Sequence, residues 1–248
     1  MYYGKFPLLA ALFVLCVIAA LPVSAVTYSG SLHYTPPGPT PDSSDGLYVG
    51  TPEVNQWINY GVGISWNVSN EDPLDGRAWK YTYTFGHDGG QAGISHVIIE
   101  GSQGIGASDI YGLTGATLAS VGLQPANPGT PGIPESLYGT RFNPLSSGQF
   151  SMTWTFWSDR APVWGDFYAR CGGANGINRA YNYNNTGGVE NGFLVNDVDP
   201  TAAAANGSVD FSILRPDTVV VPEPSSLLAL LSGLVGIGSV LGKSRRQR

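Results

Sequence analysis

Three stretches of this chain alternate apolar and polar residues with a period of two. Ile58, Tyr60, Val62, Ile64, Trp66 and Val68 are separated by Asn59, Gly61, Gly63, Ser65 and Asn67. Trp79, Tyr81, Tyr83 and Phe85 alternate with Lys80, Thr82 and Thr84, and Phe150, Met152, Trp154 and Phe156 with Ser151, Thr153 and Thr155. Successive side chains of a strand point to opposite faces, so each stretch predicts a strand with one buried face. Shorter strand candidates are Thr27–Tyr34, Ile94–Glu100, Leu137–Phe142, Val163–Ala169, Gly192–Asn196 and Val209–Leu214, separated by Gly, Pro and Asn turns. No amphipathic helical pattern lies between Val26 and Thr218, and Ala202–Ala205 is the one short run able to turn helically.

This pattern predicts an all-β domain. An antiparallel β-sandwich fits best, with a jelly roll as one way of winding it and a closed β-barrel as the competing architecture. Pro36–Gly46 reads as a long loop. Gly101–Ser136, rich in Gly and Pro, reads as irregular chain holding short strands within loops. Residues 26–218 read as a single domain without internal repeats.

Charge narrows the function. Between Val26 and Val221 lie seven basic residues, Arg77, Lys80, Arg141, Arg160, Arg170, Arg179 and Arg215, against seventeen acidic ones, a balance of ten negative charges. Nucleic acids and anionic lipid surfaces require clustered Lys and Arg, so neither is an expected partner. Charged residues make up only 12% of the chain, so hydroxyls and amides must carry the solvent face, as in many extracellular β domains.

Both termini read as addresses. Lys5 precedes an apolar run from Phe6 to Leu21, broken by Pro22, and Val23-Ser24-Ala25 places small residues before Val26. This is the organisation of a secretory signal, with cleavage expected after Ala25. Leu15 stands before Cys16 where a lipobox needs a small residue, so a lipoprotein signal is excluded. With residues 1–25 removed, Cys171 is the remaining cysteine, and an internal disulfide is ruled out. Its setting, Ala169-Arg170-Cys171-Gly172-Gly173, lacks a neighbouring His, so it reads as an inert thiol.

At the other end stand Pro222-Glu223-Pro224-Ser225, an uncharged stretch from Ser226 to Gly242, and Lys243-Ser244-Arg245-Arg246-Gln247-Arg248. As a helix the middle piece rises about 25 Å at about 1.5 Å per residue, enough to span a bilayer with snorkelling basic ends. The positive-inside rule keeps the basic cluster cytoplasmic. The two prolines hold the segment before it extended, as a processing protease needs.

This order of motif, short apolar helix and basic end, over Val221 to Arg248, resembles the PEP-CTERM sorting signal. The resemblance implies that an exosortase recognises and processes the tail at Pro222, Glu223 and Pro224. It further implies export to the cell surface or extracellular matrix of a Gram-negative bacterium making exopolysaccharide and biofilm. The segments from Ser95 to Glu100 and from Trp157 to Tyr168 also resemble stretches found in that family. Domains bearing such tails are diverse, so the resemblance assigns sorting and leaves residues 26–218 to be read from their own chemistry.

Within that domain, the histidines are His33, His87 and His96. His87 and Asp88 are adjacent on a strand pattern and point to opposite faces, and His96 has only Glu100 on its own face. No nucleophile elbow, zinc spacing or phosphate loop occurs, so no catalytic residue is assigned and no cofactor is expected. Asp42-Ser43-Ser44-Asp45-Gly46 clusters hard oxygen donors beside a turn glycine, which makes Asp42 and Asp45 the leading calcium candidates. Glu71–Gly76 and Asn196–Asp199 carry similar but weaker clusters, and solvated turns use the same residues. Trp157 lies opposite Phe156 in the strand pattern and is expected on the outer face. With Trp164, Arg160 and Asp166 close in sequence, it forms a candidate sugar platform. The expectation is an exported, noncatalytic structural or adhesive protein partnered with exopolysaccharide. A carbohydrate-binding module is the alternative, and a glycan hydrolase the more distant one.

Overall fold

Alternation along Val62–Ser69 is realised as a strand that buries Val62, Ile64, Trp66 and Val68 and turns Gly63, Ser65 and Asn67 outward. The computed structural model describes residues 25–36, 46–50, 56–90, 93–126, 133–171, 178–182 and 211–220. All of these lie in one unit, Ala25–Val220. The strands are β1 (Thr27–Tyr34), β2 (Leu47–Val49), β3 (Val62–Ser69), β4 (Trp79–His87), β5 (Ile94–Glu100), β6 (Tyr111–Thr114) and β7 (Ala116–Gln124). They continue with β8 (Leu137–Pro144), β9 (Ser151–Ser158), β10 (Arg160–Gly165), β11 (Phe167–Cys171), β12 (Asn178–Asn182) and β13 (Ile213–Val220).

They form a five-stranded sheet in the order β1-β3-β4-β9-β6 and a six-stranded sheet in the order β2-β12-β11-β5-β8-β7, with β10 and β13 as a two-stranded ribbon. Neighbouring strands pair antiparallel. The two large sheets share one aromatic core, as expected of an all-β sandwich. Phe142 of the six-stranded sheet packs between Trp154 and Phe156 of the five-stranded sheet, at 5.5 and 5.6 Å between ring centroids. Phe85 meets Phe167 across the same interior. Offset and tilted rings at these separations add attraction beyond the area they bury.

The ribbon is tied to the core through hydroxyls that would otherwise be orphaned. Tyr81 donates to the carbonyl of Arg160 at 2.7 Å, and Tyr83 to that of Leu214 at 2.8 Å. Arg215, almost wholly buried, pairs with Glu100, which also accepts the Asp166 N–H at 2.7 Å. Each buried polar group here gains a partner that offsets its desolvation.

Several expectations are corrected. The alternating pattern starting at Ile58 does not begin a strand there: Gln56–Asn59 is a 3-10 turn, closed by the Tyr60 N–H donating to Trp57, and β3 starts at Val62. Phe150 is exposed and stands before β9, its ring resting against His87. The run Val163–Ala169 is broken at Asp166 into β10 and β11, which belong to different sheets. The stretch Gly101–Ser136 contains the nine-residue strand β7. Among the described residues the last strand is Ile213–Val220 rather than the expected Val209–Leu214, of which Val209 and Asp210 lie outside them, and β2 and β12 had no forecast. The expected strand at Gly192–Asn196, the run Ala202–Ala205 and both terminal helices lie outside the described residues.

Candidate functional site: the outer face of the five-stranded sheet

Strand register assembles a polar surface from residues scattered through the sequence. One row across four strands is Ser31, Ser65, Thr84 and Thr153, and the next is Ser29, Asn67, Thr82 and Thr155. Thr82 and Thr155 share a hydrogen bond at 3.0 Å, as do Thr84 and Thr153 at 2.9 Å. A third row is His33, Gly63, Gly86 and Ser151. The two central glycines lower the surface there, and an open groove of about 760 Å³ runs over them. Ser31, His33, Tyr60, Gly63, Thr84 and Asp88 are among its lining residues.

The end of the groove is shaped by side chains packed closely on glycines. The Tyr60 ring lies so near Gly89 that an added Cβ would come within 2.6 Å of it. An added Cβ on Gly61 would meet the Asp88 carboxylate, which would have to move aside. At Gly63 the nearest atom would stand 3.5 Å away, so a Cβ would fit there in ordinary van der Waals contact.

Trp157 lies at the opposite end of this face, half-buried, in a row with Lys80 on β4 and Tyr111 on β6. Its indole N–H donates to the Asp72 carbonyl at 2.8 Å. The Lys80 ammonium sits over the ring and pairs with the Asp72 carboxylate at 2.9 Å. The Gly112 backbone packs on the same indole. Trp157 is thus on the outer face, held by groups of its own chain. Trp164 is turned to the core instead, edge-on to Trp66 at 6.0 Å. Arg160 bonds to the Gly104 carbonyl and Asp109, and Asp166 is fully buried. The structure therefore does not bring Trp157, Trp164, Arg160 and Asp166 together on one surface.

The remaining candidates resolve individually. His87 is buried, its Nδ1 2.6 Å from the Gly89 carbonyl, and burial lowers its pKa. His96 is buried in the six-stranded sheet, where burial, then the charges of Arg141 and Arg170, push it down to about 3. Cys171 is buried, accepts a hydrogen bond from Asn178 at 2.9 Å, and has its pKa raised by burial, which disfavours the reactive thiolate. In the Glu71–Gly76 cluster, Glu71 accepts from Thr27, Asp72 from Lys80 and Asp75 from Tyr111. Among the described residues no three His, Cys, Asp or Glu side chains converge on a metal position. Asp42, Asp45, the Asn196–Asp199 cluster and Pro222, Glu223 and Pro224 lie outside the described residues. Among the described residues no helix is long and apolar enough to cross a membrane.

No family model, curated protein or solved structure matches the chain. The groove residues His33, Tyr60, Gly63 and Gly86 were missed by sequence reasoning. Their only signal was glycine at two outward positions of strong strand patterns, and the pairing that puts those positions side by side is not local information.

Proposed function

We propose that this chain is an exported, noncatalytic surface protein. Its tail is processed by an exosortase, and its β domain adheres to extracellular polysaccharide. The observation that carries the adhesive part is the hydroxyl- and amide-rich outer face of the five-stranded sheet, opening into the groove over Gly63 and Gly86. A shallow polar surface of this kind offers many weak hydrogen bonds to sugar hydroxyls. Adhesion to a repetitive polymer needs no more, because repeated weak contacts on one chain reinforce each other.

On this reading the precursor carries an N-terminal signal helix and a C-terminal transmembrane helix. The chain's repeated exchange between sheets supports a jelly-roll-like winding. A carbohydrate-binding module is the second reading, favoured by the groove, because a defined channel selects a chain shape as well as retaining it.

Two experiments test the proposal. Replacing Pro222, Glu223 and Pro224 together with alanine is expected to leave an unprocessed, membrane-retained precursor, and normal release of that variant overturns the exosortase assignment. Gly63→Gln fills the groove where a side chain has room, and is expected to keep the fold and lower retention on isolated matrix polysaccharide. Unchanged retention removes the groove from the adhesive surface.

A further inference from the structure

The outer face of the six-stranded sheet gathers positive charge in an acidic domain. Arg170 on β11 stands opposite Arg179 on β12 and opposite His96 on β5. Arg141 on β8 stands opposite Ile98, two residues from His96 and on the same face of β5. Arg141 and Arg170 therefore flank one buried histidine, and Arg179 stands one strand further out.

Ion pairs join Arg77 to Asp159, Lys80 to Asp72, Arg160 to Asp109 and Arg215 to Glu100. Among the described residues Arg141 and Arg170 have no carboxylate partner. The ε N–H of each is buried without an acceptor, and the Nε2 of His96 is likewise buried without a partner. Burial, followed by the charge of Arg170, lowers the pKa of Arg141, so the two guanidiniums oppose each other. Like charges crowded on one face are costly unless an anion completes them.

We propose that Arg141 and Arg170 bind the carboxylates of an acidic polysaccharide. The choice of a polymer rests on the matrix reading above; the anion preference rests on the arginines alone. A carboxylate accepts two parallel N–H bonds from a guanidinium, and charge-assisted bonds of this kind are roughly twice as strong as neutral ones. The net negative domain repels a polyanion elsewhere, so attraction is confined to this face. Arg141 and Arg170 are half-buried, beside the buried His96, Ile98 and Tyr168, so only part of each guanidinium is offered to a carboxylate carried on a long chain.

The test uses the mature protein, thermal unfolding and binding at low salt. The probes are oligogalacturonate, a neutral glucan and inorganic sulfate. Oligogalacturonate is expected to raise the unfolding midpoint of the wild type and to bind at least tenfold more weakly to Arg141→Gln and Arg170→Gln. Without any anion, both variants are expected to melt at or above the wild-type midpoint, since a like-charge repulsion is gone. Gly63→Gln is expected to leave oligogalacturonate binding intact.

Variants that melt lower and bind oligogalacturonate as the wild type does overturn the site. Stabilisation by sulfate without binding of oligogalacturonate also overturns it, leaving a small-anion site. Binding of the neutral glucan alone, lost in Gly63→Gln, overturns the arginine site while leaving the adhesive function standing.

Discussion

Lys80 and Trp157 are direct cross-strand partners, and the Lys80 ammonium lies 5.1 Å from the centroid of the Trp157 ring. Both side chains are tied to Asp72, Lys80 through its carboxylate and Trp157 through its carbonyl. The aromatic face that would meet a sugar is thus engaged by the protein's own cation, and the ring anchors the turn before β4 to β9.

The stability of Trp157→Ala follows from that arrangement. A half-buried indole with one exposed cation contact predicts a loss of about 1–2 kcal/mol, below the ~3–5 kcal/mol typical of emptying a fully buried aromatic site such as Trp154. Lys80→Ala is expected to cost less than about 1 kcal/mol, because its ion pair with Asp72 is largely solvated. Urea unfolding of the three single variants checks the order. A Trp157→Ala loss equal to that of Trp154→Ala contradicts this account of the ring.

Glycines separate into structural and open positions. Gly115 has φ +80°, and an added Cβ would fall 2.0 Å from the Thr153 carbonyl oxygen, a backbone atom that cannot swing away. Gly115→Ala is expected to destabilise by more than about 2 kcal/mol, since it combines a disfavoured backbone conformation with a steric clash against the β9 backbone. Gly63→Ala is expected to change stability by less than about 1 kcal/mol, and to act in the opposite sense if anything, because Ala restricts the unfolded chain. Denaturant midpoints measured side by side decide the matter; equal losses at both positions contradict it.

The strands with strict alternation were legible because burial on one face alone writes itself into the sequence every second residue. β1 and β5 appear with the expected bounds, Thr27–Tyr34 and Ile94–Glu100. The six-stranded sheet was harder to read. Its inner strands β5 and β11 are buried on both faces, with Val97 and Ile99 in the sandwich core and Ile98 in a second cluster with Tyr168 and Tyr181, so period two fades into a continuous apolar run. Trp157 was legible as an outer residue from the burial of Phe156. That Lys80 covers it was not, because the pairing of β4 with β9 joins positions far apart in sequence. The same non-local register hid the groove and the arginine cluster.

A calcium ion held by Asp42 and Asp45 predicts that chelator lowers the unfolding temperature and that elemental analysis finds the metal in the purified protein. A ligand bound only to the native state, at a hundredfold excess over its dissociation constant, contributes about 2.7 kcal/mol. An unchanged transition in chelator, with no metal present, leaves those residues as turn formers.

Acid is expected to weaken the domain through His96. Its pKa is lowered from 6.5 to about 3, first by burial and then by Arg141 and Arg170, which face it from β8 and β11. Ser95 meets its Nδ1 at 3.2 Å and the Tyr168 ring lies 6.0 Å away, and neither supplies a negative charge at these pH values. The folded state therefore holds His96 neutral where the unfolded state protonates it. The stability tied to the neutral ring is fully present above pH 6.5 and is lost as the pH falls towards 3. Each proton taken up only by the unfolded state steepens the decline by up to about 1.4 kcal/mol per pH unit. His87, also lowered by burial, adds to the slope in the same direction. His96→Gln is expected to flatten the profile between pH 6.5 and 4 while leaving acid loss from carboxylates in place. Urea unfolding at half-unit pH steps measures this, and a variant profile parallel to that of the wild type shows that His96 is not the group responsible.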